Sequence, residues 1–297
     1  EKEYPIDIHV HSKVSDGLET PCEVIEKMQK HGITHMVFTE HNCFHDNFSQ
    51  LQKFAKKHNI DIPFQGVEIN TVFCREGHLP YMKFHLLLYG INLETEELVQ
   101  KIAKVNKIRN DYIREKYLEF VKKGLIELPF NEIYKITDLE AITQKKVFTR
   151  SLLAKEVSRV TGESIEEIKE KYIPQLSEKE RYKYWIDIRE ILEMARKIGA
   201  VTVLAHPGWI RPFDEKDNNI TKKELVEAII DMRRWGLDGL EIRHRLNDFE
   251  TVQLLENVAL NLGMLITGGS DYHGRVRCQI GNHGMTKREF ERLQILV

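Results

Sequence analysis

Two histidines spaced by a single residue, His9 and His11, are the first side chains in the sequence that could do chemistry. They lie in or next to residues 4–10 (YPIDIHV), whose alternating apolar and polar residues predict a β-strand. Alternate side chains of a strand share a face, so both imidazoles and Asp7 would face the same way. Two adjacent imidazoles at a strand end can bind one metal ion, and Asp16 follows in the next loop. Taken alone, the two histidines could also be ordinary polar residues at a strand end.

Six further predicted strands carry a histidine or a carboxylate within them or directly after them. A single histidine in an apolar strand is more often a buried core residue than a ligand, but six coincidences are improbable. The carboxyl ends of parallel strands are also where α/β barrels build their active sites. Imidazole and carboxylate ligands without thiolate suit zinc, manganese or iron. The residues concerned are His41, Glu68, His85, His206, Glu241 with His244, and Asp271 with His273.

The elements that must position these side chains are strands alternating with amphipathic helices, a pattern that predicts a parallel sheet. Some seven such strands favour an α/β fold that closes, or nearly closes, into a barrel. A helix is also predicted from Thr20, the expected N-cap, to Gly32. The other predicted helices are 47–58, 187–198, 222–235 and 248–262, and the strands are 4–10, 34–39, 62–73, 82–90, 200–205, 238–243 and 263–267.

The middle of the chain, residues 91–195, differs because its pattern is almost entirely helical and carries no metal-ligand cluster. We interpret it as a helical insertion domain, or lid, in a barrel formed by residues 1–90 and 196–297. Within it, residues 101–123 contain eight Lys or Arg and three Asp or Glu. This basic helix could bind nucleic acid, although a solvated helix face is the commoner explanation. Further helices are predicted at 148–160 and 164–172.

The composition restricts the class of protein. With 297 residues, 41% hydrophobic and 30% charged, the chain is not expected to be disordered. A net charge of -2 does not suggest a protein coated with nucleic acid. No apolar run approaches the roughly 20 residues of a membrane span, so no membrane partner is expected, and neither is a signal peptide. Four scattered cysteines without a CxxC pair predict a reduced, cytoplasmic setting. Nothing in the sequence indicates an oligomeric state.

The series HVHS with SDG, TEHN, GVEI, FHLLLYG, LAHPG, GLEI and GGSDYHG resembles the PHP (polymerase and histidinol phosphatase) family. The motifs occur in the family's order over residues 4–90 and 200–284. The resemblance implies a distorted seven-stranded α/β barrel, (β/α)7, whose site holds three metal ions and often hydrolyses phosphate esters. The helical insertion, with its segment TRSLLAKEV, resembles the branch that acts on nucleotides and other small phosphate monoesters.

The resemblance also implies nine ligands for three divalent ions of manganese, iron or zinc. One departure from the family pattern is Glu40, where the family commonly has Asp before the histidine. The implied ligands are His9, His11, Glu68 and Asp271 for the first ion; Glu68, His85 and His206 for the second; and Asp16, His41 and His273 for the third.

Clustered cations fit phosphate ester hydrolysis, because they neutralise the phosphate and lower the pKa of a shared water to near neutrality. The expected attacking group is thus a hydroxide bridging the metals. Glu68 and Asp271 would be central to catalysis, with Glu68 offsetting the repulsion between neighbouring cations. His244 could be the general acid for the leaving group, or a phosphate-binding or surface residue. Asp7 would accept a hydrogen bond from a ligand imidazole.

A phosphate monoester also needs cationic donors beside the metals, and the guanidinium fork of arginine matches phosphate oxygens. Arg150 and Arg243 are the first candidates, and Arg211 and Arg245 are weaker ones. Each could equally be a solvated surface residue. Trp209 is the tryptophan best placed to stack on a base, since it follows His206. The remaining histidines are expected at the surface or at helix ends: His31, His35, His45, His58, His78 and His283.

The sequence therefore predicts a metal-dependent phosphoesterase that releases phosphate from a small organic monoester. Nucleotide, sugar phosphate and histidinol phosphate types are the substrates considered. The alternative is an exonuclease or oligoribonuclease acting on short oligonucleotides. A third reading, a regulatory module with structural metals, is disfavoured because all nine ligand positions carry suitable residues.

Overall fold

Seven strands of the computed structural model lie close to where the sequence pattern predicts them, while the two-residue strands Ile186–Asp187 and Arg211–Pro212 were not predicted. The strands form two hydrogen-bonded sheets in the described part of the chain. The structure describes residues 4–73, 82–91, 96–134, 147–174, 185–212, 220–274 and 279–297, with Arg211 and Pro212 described only by their backbone. His78 lies outside the described residues. The strands are β1 (Ile6–Val10), β2 (His35–Phe38), β3 (Gly66–Phe73), β4 (Met82–Tyr89), β5 (Ile186–Asp187), β6 (Val201–Leu204), β7 (Arg211–Pro212), β8 (Gly239–Arg243) and β9 (Leu265–Gly268).

The smaller sheet pairs β1 with β2 in parallel, and the larger has the order β5-β3-β4-β6-β8-β9, with β7 on β4. The parallel pairing predicted for the strands holds for β6 with β8 and for β8 with β9. It is wrong for β4, which is antiparallel to both β3 and β6. Only residues 74–81 separate β3 from β4. A parallel crossover needs about a dozen residues or more, so the chain must reverse there.

Single backbone bridges connect the two sheets at two points. Val10 in β1 bridges Tyr272, which follows β9, and His41, which follows β2, bridges Glu68 in β3. Hydrogen bonds support both bridges, from His11 N to Tyr272 O at 2.9 Å and from Asn42 N to Glu68 O at 2.8 Å. The mixed α/β fold is thus confirmed, while its closure into a barrel stays a prediction.

The first helix begins at the residue that its capping signal predicts. Thr20 and Glu23 form a capping box at the start of the first helix, and Pro21 occupies its first position. Among the described residues no helix is long and apolar enough to cross a membrane. The helices are α1 (Pro21–Lys30), α2 (Phe48–Lys57), α3 (Glu96–Lys122), α4 (Phe130–Tyr134), α5 (Arg150–Thr161), α6 (Ile165–Lys171), α7 (Ile188–Ile198), α8 (Lys222–Trp235), α9 (Phe249–Asn261) and α10 (Lys287–Leu296).

The chain divides into two compact units, which we call the strand unit (Glu1–Leu98 with Ile186–Val297) and the helical unit (Val99–Trp185). The insertion domain predicted at 91–195 stays a prediction, and α7 belongs to the strand unit. The helical unit has its own core, in which Ile113, Phe148 and Leu153 are fully or almost fully buried.

The strand unit buries the apolar face of β1 opposite its histidine. Ile6 and Ile8 pack in one cluster with Leu87 of β4 and Phe290 of α10. Asp7 and His9, on the other face of β1, are also fully buried. Buried polar groups are costly unless they find partners, so this second face must be satisfied by other polar groups or by an ion.

Candidate metal centre

Strand register brings the predicted ligands to one level of the sheet. A single parallel bridge pairs Glu68 of β3 with His41, which follows the end of β2. Asn70 pairs with His85 across β3 and β4, and His85 O accepts a hydrogen bond from Ala205 N, one residue before His206. The reversed direction of β4 explains why His85 lies within its strand and not at the carboxyl end.

Glu68 is the centre of the cluster, and five imidazoles face its fully buried carboxylate. On Oε1, His85 Nδ1 lies at 2.8 Å and His206 Nε2 at 3.0 Å. On Oε2, the nearest nitrogens of His9, His11 and His41 lie at 3.4, 3.1 and 3.1 Å respectively. The two oxygens therefore face different sets of histidines, as a carboxylate shared by two metal ions would.

Asp271 completes the group around His9 and His11. Its Oδ1 lies 3.5 Å from His9 Nε2 and 3.4 Å from His11 Nε2. Potential ligand atoms of His9, His11, Glu68 and Asp271 all lie within 4.8 Å of one another. Four such donors within that distance can surround one ion.

A second group joins three segments that are distant in sequence. Oδ1 of Asp16 lies 3.1 Å from Nε2 of His273 and 3.9 Å from Nε2 of His41. The Nδ1 of His273 hydrogen-bonds the backbone oxygen of Asp271 at 2.8 Å. That contact places the proton of a neutral ring on Nδ1 and leaves the Nε2 lone pair facing Asp16. His11 belongs to this group as well.

Glu241 supports the cluster from β8, although sequence reasoning gave it no role beyond a carboxylate in a strand. Oε1 accepts a hydrogen bond from His9 Nδ1, and Oε2 accepts one from the backbone of His206, both at 2.8 Å. A carboxylate on the second ring nitrogen is the usual way in which proteins fix a metal-binding imidazole. Asp7, for which we predicted such a role, instead accepts the backbone N–H groups of His9 and Ser270.

Two of the predicted ligands have backbones in the left-handed region, His206 with φ 28° and Asp271 with φ 51°. Such conformations are uncommon for residues other than glycine, and they concentrate at functional sites. Asn247 holds the turn of His206 in place, because its Oδ1 accepts the Gly208 N–H at 2.7 Å. Its Nδ2 donates to the backbone oxygens of Glu241 and Ile242 at 3.0 and 2.8 Å. Sequence reasoning missed Asn247.

Several buried nitrogens and oxygens of the cluster have no hydrogen-bond partner among the described residues. Buried polar atoms normally find partners, so a concentration of orphans calls for an explanation such as an ion. The donors are imidazole nitrogens and carboxylate oxygens, which suit a divalent transition metal. The residues therefore fit the metals that the sequence implies. The orphan atoms are His9 Nε2, both ring nitrogens of His11, His41 Nδ1, Glu68 Oε2 and His206 Nδ1.

The electrostatics of the cluster favour the metal-binding forms of its carboxylates and of His41, whereas the pKa values of His9 and His11 are raised above their usual value. Burial acts to raise the pKa of Glu68, but His41, His85 and His9 outweigh it and hold that pKa well below its usual value. Asp271 is shifted in the same direction, against its burial, by His11 and His244. Burial lowers the pKa of His41 to about 3, so its ring is neutral at physiological pH. Ionised carboxylates and neutral imidazoles are the metal-binding states.

His244 lies beside the cluster with its Nε2 near Asp271. The Leu246 N–H donates to His244 Nδ1 at 3.1 Å, so the proton of a neutral ring lies on Nε2. That nitrogen is buried and lies 3.6 Å from Oδ2 of Asp271. Arg245 Nη2 lies 3.2 Å from the same oxygen, and its side chain is 33% exposed. Both residues thus contact a predicted ligand.

The other predicted arginines differ in their surroundings. Arg243 donates to the Gly284 backbone oxygen at 2.8 Å and to Glu289 at 2.6 Å, so it connects β8 with the start of α10. Arg150 lies in the helical unit and donates to Ile173 O at 3.0 Å. The backbone of Arg211 pairs with β4 in β7, and its side chain lies outside the described residues. Their contacts with phosphate stay predictions.

One histidine that we expected at the surface lies inside. Nε2 of His45 lies 3.1 Å from Oε1 of the fully buried Glu40, and only 10% of the His45 side chain is exposed. No sequence pattern marks this pair, because the contact forms only once the loop after β2 folds back on itself.

A model of the PHP domain matches residues 7–173, more than half of the chain. The chain belongs to the PHP domain family. This PHP protein is 22% identical to a 5'-3' exoribonuclease of Haemophilus influenzae, over 90% of its own length and 89% of that relative. It is 21% identical to a 3',5'-nucleoside bisphosphate phosphatase of Chromobacterium violaceum, over 90% of its own length and 87% of that relative.

A solved structure confirms the fold of this PHP protein. A protein of Bifidobacterium adolescentis, assigned to the metal-dependent phosphoesterases, superposes with a TM-score of 0.73 at 20% identity. The superposition covers 98% of the PHP protein and 96% of that chain. At this identity the likeness establishes the shared architecture alone.

Proposed function

We propose that this PHP protein, a metal-dependent phosphoesterase, hydrolyses a small organic phosphate monoester at a site for three divalent ions. The observation that carries the proposal is the Glu68 carboxylate, which faces five imidazoles with its two oxygens divided between them. Asp16, His41 and His273 supply a third group, which adjoins the first through His11.

Bound ions would neutralise the phosphate and provide a nucleophilic water at neutral pH. The chain's own residues supply the remaining functions. Arg245, with a third of its side chain exposed beside Asp271, would bind a phosphate oxygen, while Asp271 keeps the guanidinium in place. His244 would protonate the oxygen of the departing alcohol from Nε2 in its imidazolium form, which requires the Leu246 N–H to leave Nδ1 and returns the ring to its neutral state. Glu241 would keep His9 in the correct tautomer throughout.

A monoester is favoured over an oligonucleotide because at least three of the eight Lys and Arg of the basic helix already have partners within the chain. Lys107 pairs with Asp111 and Lys116 with Glu119 along α3. Arg114 lies over the ring of Phe130 at 4.5 Å. The bisphosphate phosphatase of Chromobacterium violaceum supports the same choice.

An exonuclease acting on short oligonucleotides is the second candidate. The similarity to the exoribonuclease of Haemophilus influenzae favours it. So does the excess of Lys and Arg over residues 101–123. Both candidates use the same metal centre and differ in what surrounds the cleaved phosphate.

A phosphate-release screen with manganese supplied tests the proposal. Its panel would hold nucleotides, sugar phosphates, histidinol phosphate and short oligonucleotides. We expect release from at least one monoester, and loss of that activity on treatment with a chelator. Elemental analysis of the wild-type protein should find two to three equivalents of metal, and Glu68→Ala should bind markedly less. Less than one equivalent after reconstitution would contradict the trinuclear site.

A further inference from the structure

The carboxylate of Glu40 gathers hydrogen bonds from the loop that follows β1. It accepts the backbone N–H of Ser12 at 3.1 Å and that of Ser15 at 3.2 Å. The hydroxyls of the same two serines donate to it as well. With His45 Nε2 at 3.1 Å, the fully buried carboxylate faces five polar groups. A buried carboxylate with so many partners is held in one position, because each hydrogen bond lost at a buried charge costs free energy.

The loop that Glu40 holds ends at Asp16, a proposed metal ligand. The loop is closed on itself, since Ser12 O accepts hydrogen bonds from Ser15 N at 3.2 Å and Gly17 N at 2.8 Å. A Cβ on Gly17 would lie 2.8 Å from the Ser12 backbone, so no larger residue fits there without a shift. Ser15 therefore cannot move without moving Asp16.

Glu40 also precedes His41, a second proposed ligand of the same ion. Glu40 thus fixes His41 through the chain and Asp16 through the serine loop. The third proposed ligand, His273, is connected to the same loop, because its backbone oxygen accepts the Leu18 N–H at 2.9 Å. All three segments that would surround this ion are tied to residues 12–18.

We propose that Glu40, supported by His45, is the positioning residue for the metal ion of Asp16, His41 and His273. This inference rests on the proposed function, because it presumes an ion in that group. Glu40 would not touch the ion, and its effect would fall mainly on this one of the proposed ions. Glu241 has the corresponding role for His9 and His206, which it contacts.

The length of the Glu40 side chain is part of the argument. Both carboxylate oxygens are engaged, Oε1 by Ser12 and His45 and Oε2 by Ser12 and Ser15. Shortening the side chain by one methylene would draw the carboxylate back by about 1.5 Å. Hydrogen bonds weaken steeply over such distances, so aspartate should be a poor substitute.

The test is titration of metal-free protein with Mn²⁺, with bound and free metal measured by elemental analysis. Three variants are compared with the wild type: Glu40→Gln, Asp16→Asn as the direct ligand loss, and Glu241→Gln as the matched buried carboxylate. We expect Glu40→Gln to weaken, by about 10–100-fold, the same equivalent that Asp16→Asn loses. Glu241→Gln should weaken a different one. Excess Mn²⁺ should restore phosphatase activity to Glu40→Gln, and Glu40→Asp should fall between Glu40→Gln and the wild type.

Wild-type affinity for every equivalent in Glu40→Gln would overturn the inference while leaving the metal centre intact. If Asp16→Asn itself loses no equivalent, both the inference and the third proposed ion are wrong. Circular dichroism of the metal-free proteins checks that each variant folds. Should Glu40→Gln not fold, Ser15→Ala decides, since it removes only one hydroxyl from Glu40. It should weaken the same equivalent to a smaller degree, and an unchanged affinity there would also overturn the inference.

Discussion

The Nδ1 of His9 donates a hydrogen bond to Oε1 of Glu241 at 2.8 Å, although 232 residues separate them along the chain. Both side chains are fully buried. Burial alone would lower the pKa of His9, but Glu241 and Glu68 outweigh it and hold that pKa well above its usual value. In the absence of metal, the cluster therefore favours a protonated His9. An ion that binds Nε2 must displace that proton, which couples metal affinity to pH.

Replacing Glu241 with glutamine should weaken metal binding without removing a ligand. The glutamine amide oxygen can still accept the hydrogen bond from His9, but the negative charge is lost. The His9 imidazole then carries less electron density and coordinates a metal ion more weakly. We expect about 10–100-fold lower metal affinity, measured by competition with a chelator. Glu227→Gln, a change on the exposed side of α8, is the matched control and should bind metal like the wild type. Equal affinities for both variants would show that Glu241 does not act on the metal.

The sequence predicts the strands and helices around this site well, because strand alternation and helix capping are both local patterns. The alternation around His9 and the capping box of Thr20 depend only on neighbouring residues, and both are present. The partners of Glu68 are different, since His206 lies 138 residues away. Only family resemblance placed those two residues on a common ion.

Two features were not predicted, for different reasons. The reversal of β4 follows from a connection too short for a crossover, which the spacing of the predicted strands already contains although periodicity alone carries no information on strand direction. The contact between Glu40 and His45 links two residues that no strand or helix pattern relates, so it needed the folded chain.

Arg243 and Arg245 should behave differently although they are two residues apart. Arg245 contacts Asp271, so Arg245→Ala should lower kcat/KM about 10–1000-fold with unchanged metal content. Arg243 contacts Gly284 and Glu289, so Arg243→Ala should mainly lower the free energy of unfolding, by about 1–3 kcal/mol. Urea unfolding and steady-state kinetics separate the two effects. A selective kinetic defect in Arg243→Ala would instead support its predicted phosphate contact.

If His244 is the general acid, its loss should matter most when the departing alcohol is a poor leaving group. The expected effect of His244→Gln is about 10²–10⁴-fold on kcat for an alkyl phosphate. For a nitrophenyl phosphate, whose leaving group needs little protonation, it should be much smaller. Comparing kcat for a series of esters of increasing alcohol pKa provides the measurement. An equal loss across the series would indicate that His244 binds phosphate or supports Asp271 and does not transfer the proton.

Trp209 is half-buried beside two proposed ligands, with its ring centroid 4.8 Å from that of His85 and 5.6 Å from that of His206. An aromatic ring there could stack on the base of a nucleotide substrate, a contact worth about 1–3 kcal/mol. Trp209→Leu should therefore lower kcat/KM for a nucleotide about tenfold more than for glycerol phosphate. Equal losses for the two substrates would show that Trp209 only supports the histidines.

Salt dependence separates the monoesterase from the exonuclease. An enzyme that neutralises several phosphates along a strand loses affinity steeply with salt, with a slope of about -0.7 in log K against log salt per phosphate. A single phosphate bound by the metal centre and one arginine should give a much shallower slope. We therefore expect KM to change little between about 50 and 200 mM salt, with a clear preference for mononucleotide-sized monoesters. Steady-state kinetics on a mononucleotide and on oligonucleotides of increasing length provide the measurement. The exonuclease would be favoured by a slope steeper than about -2 together with a preference for substrates of three or more nucleotides. Such a slope would mean that several Lys and Arg of the basic helix contact the nucleic acid.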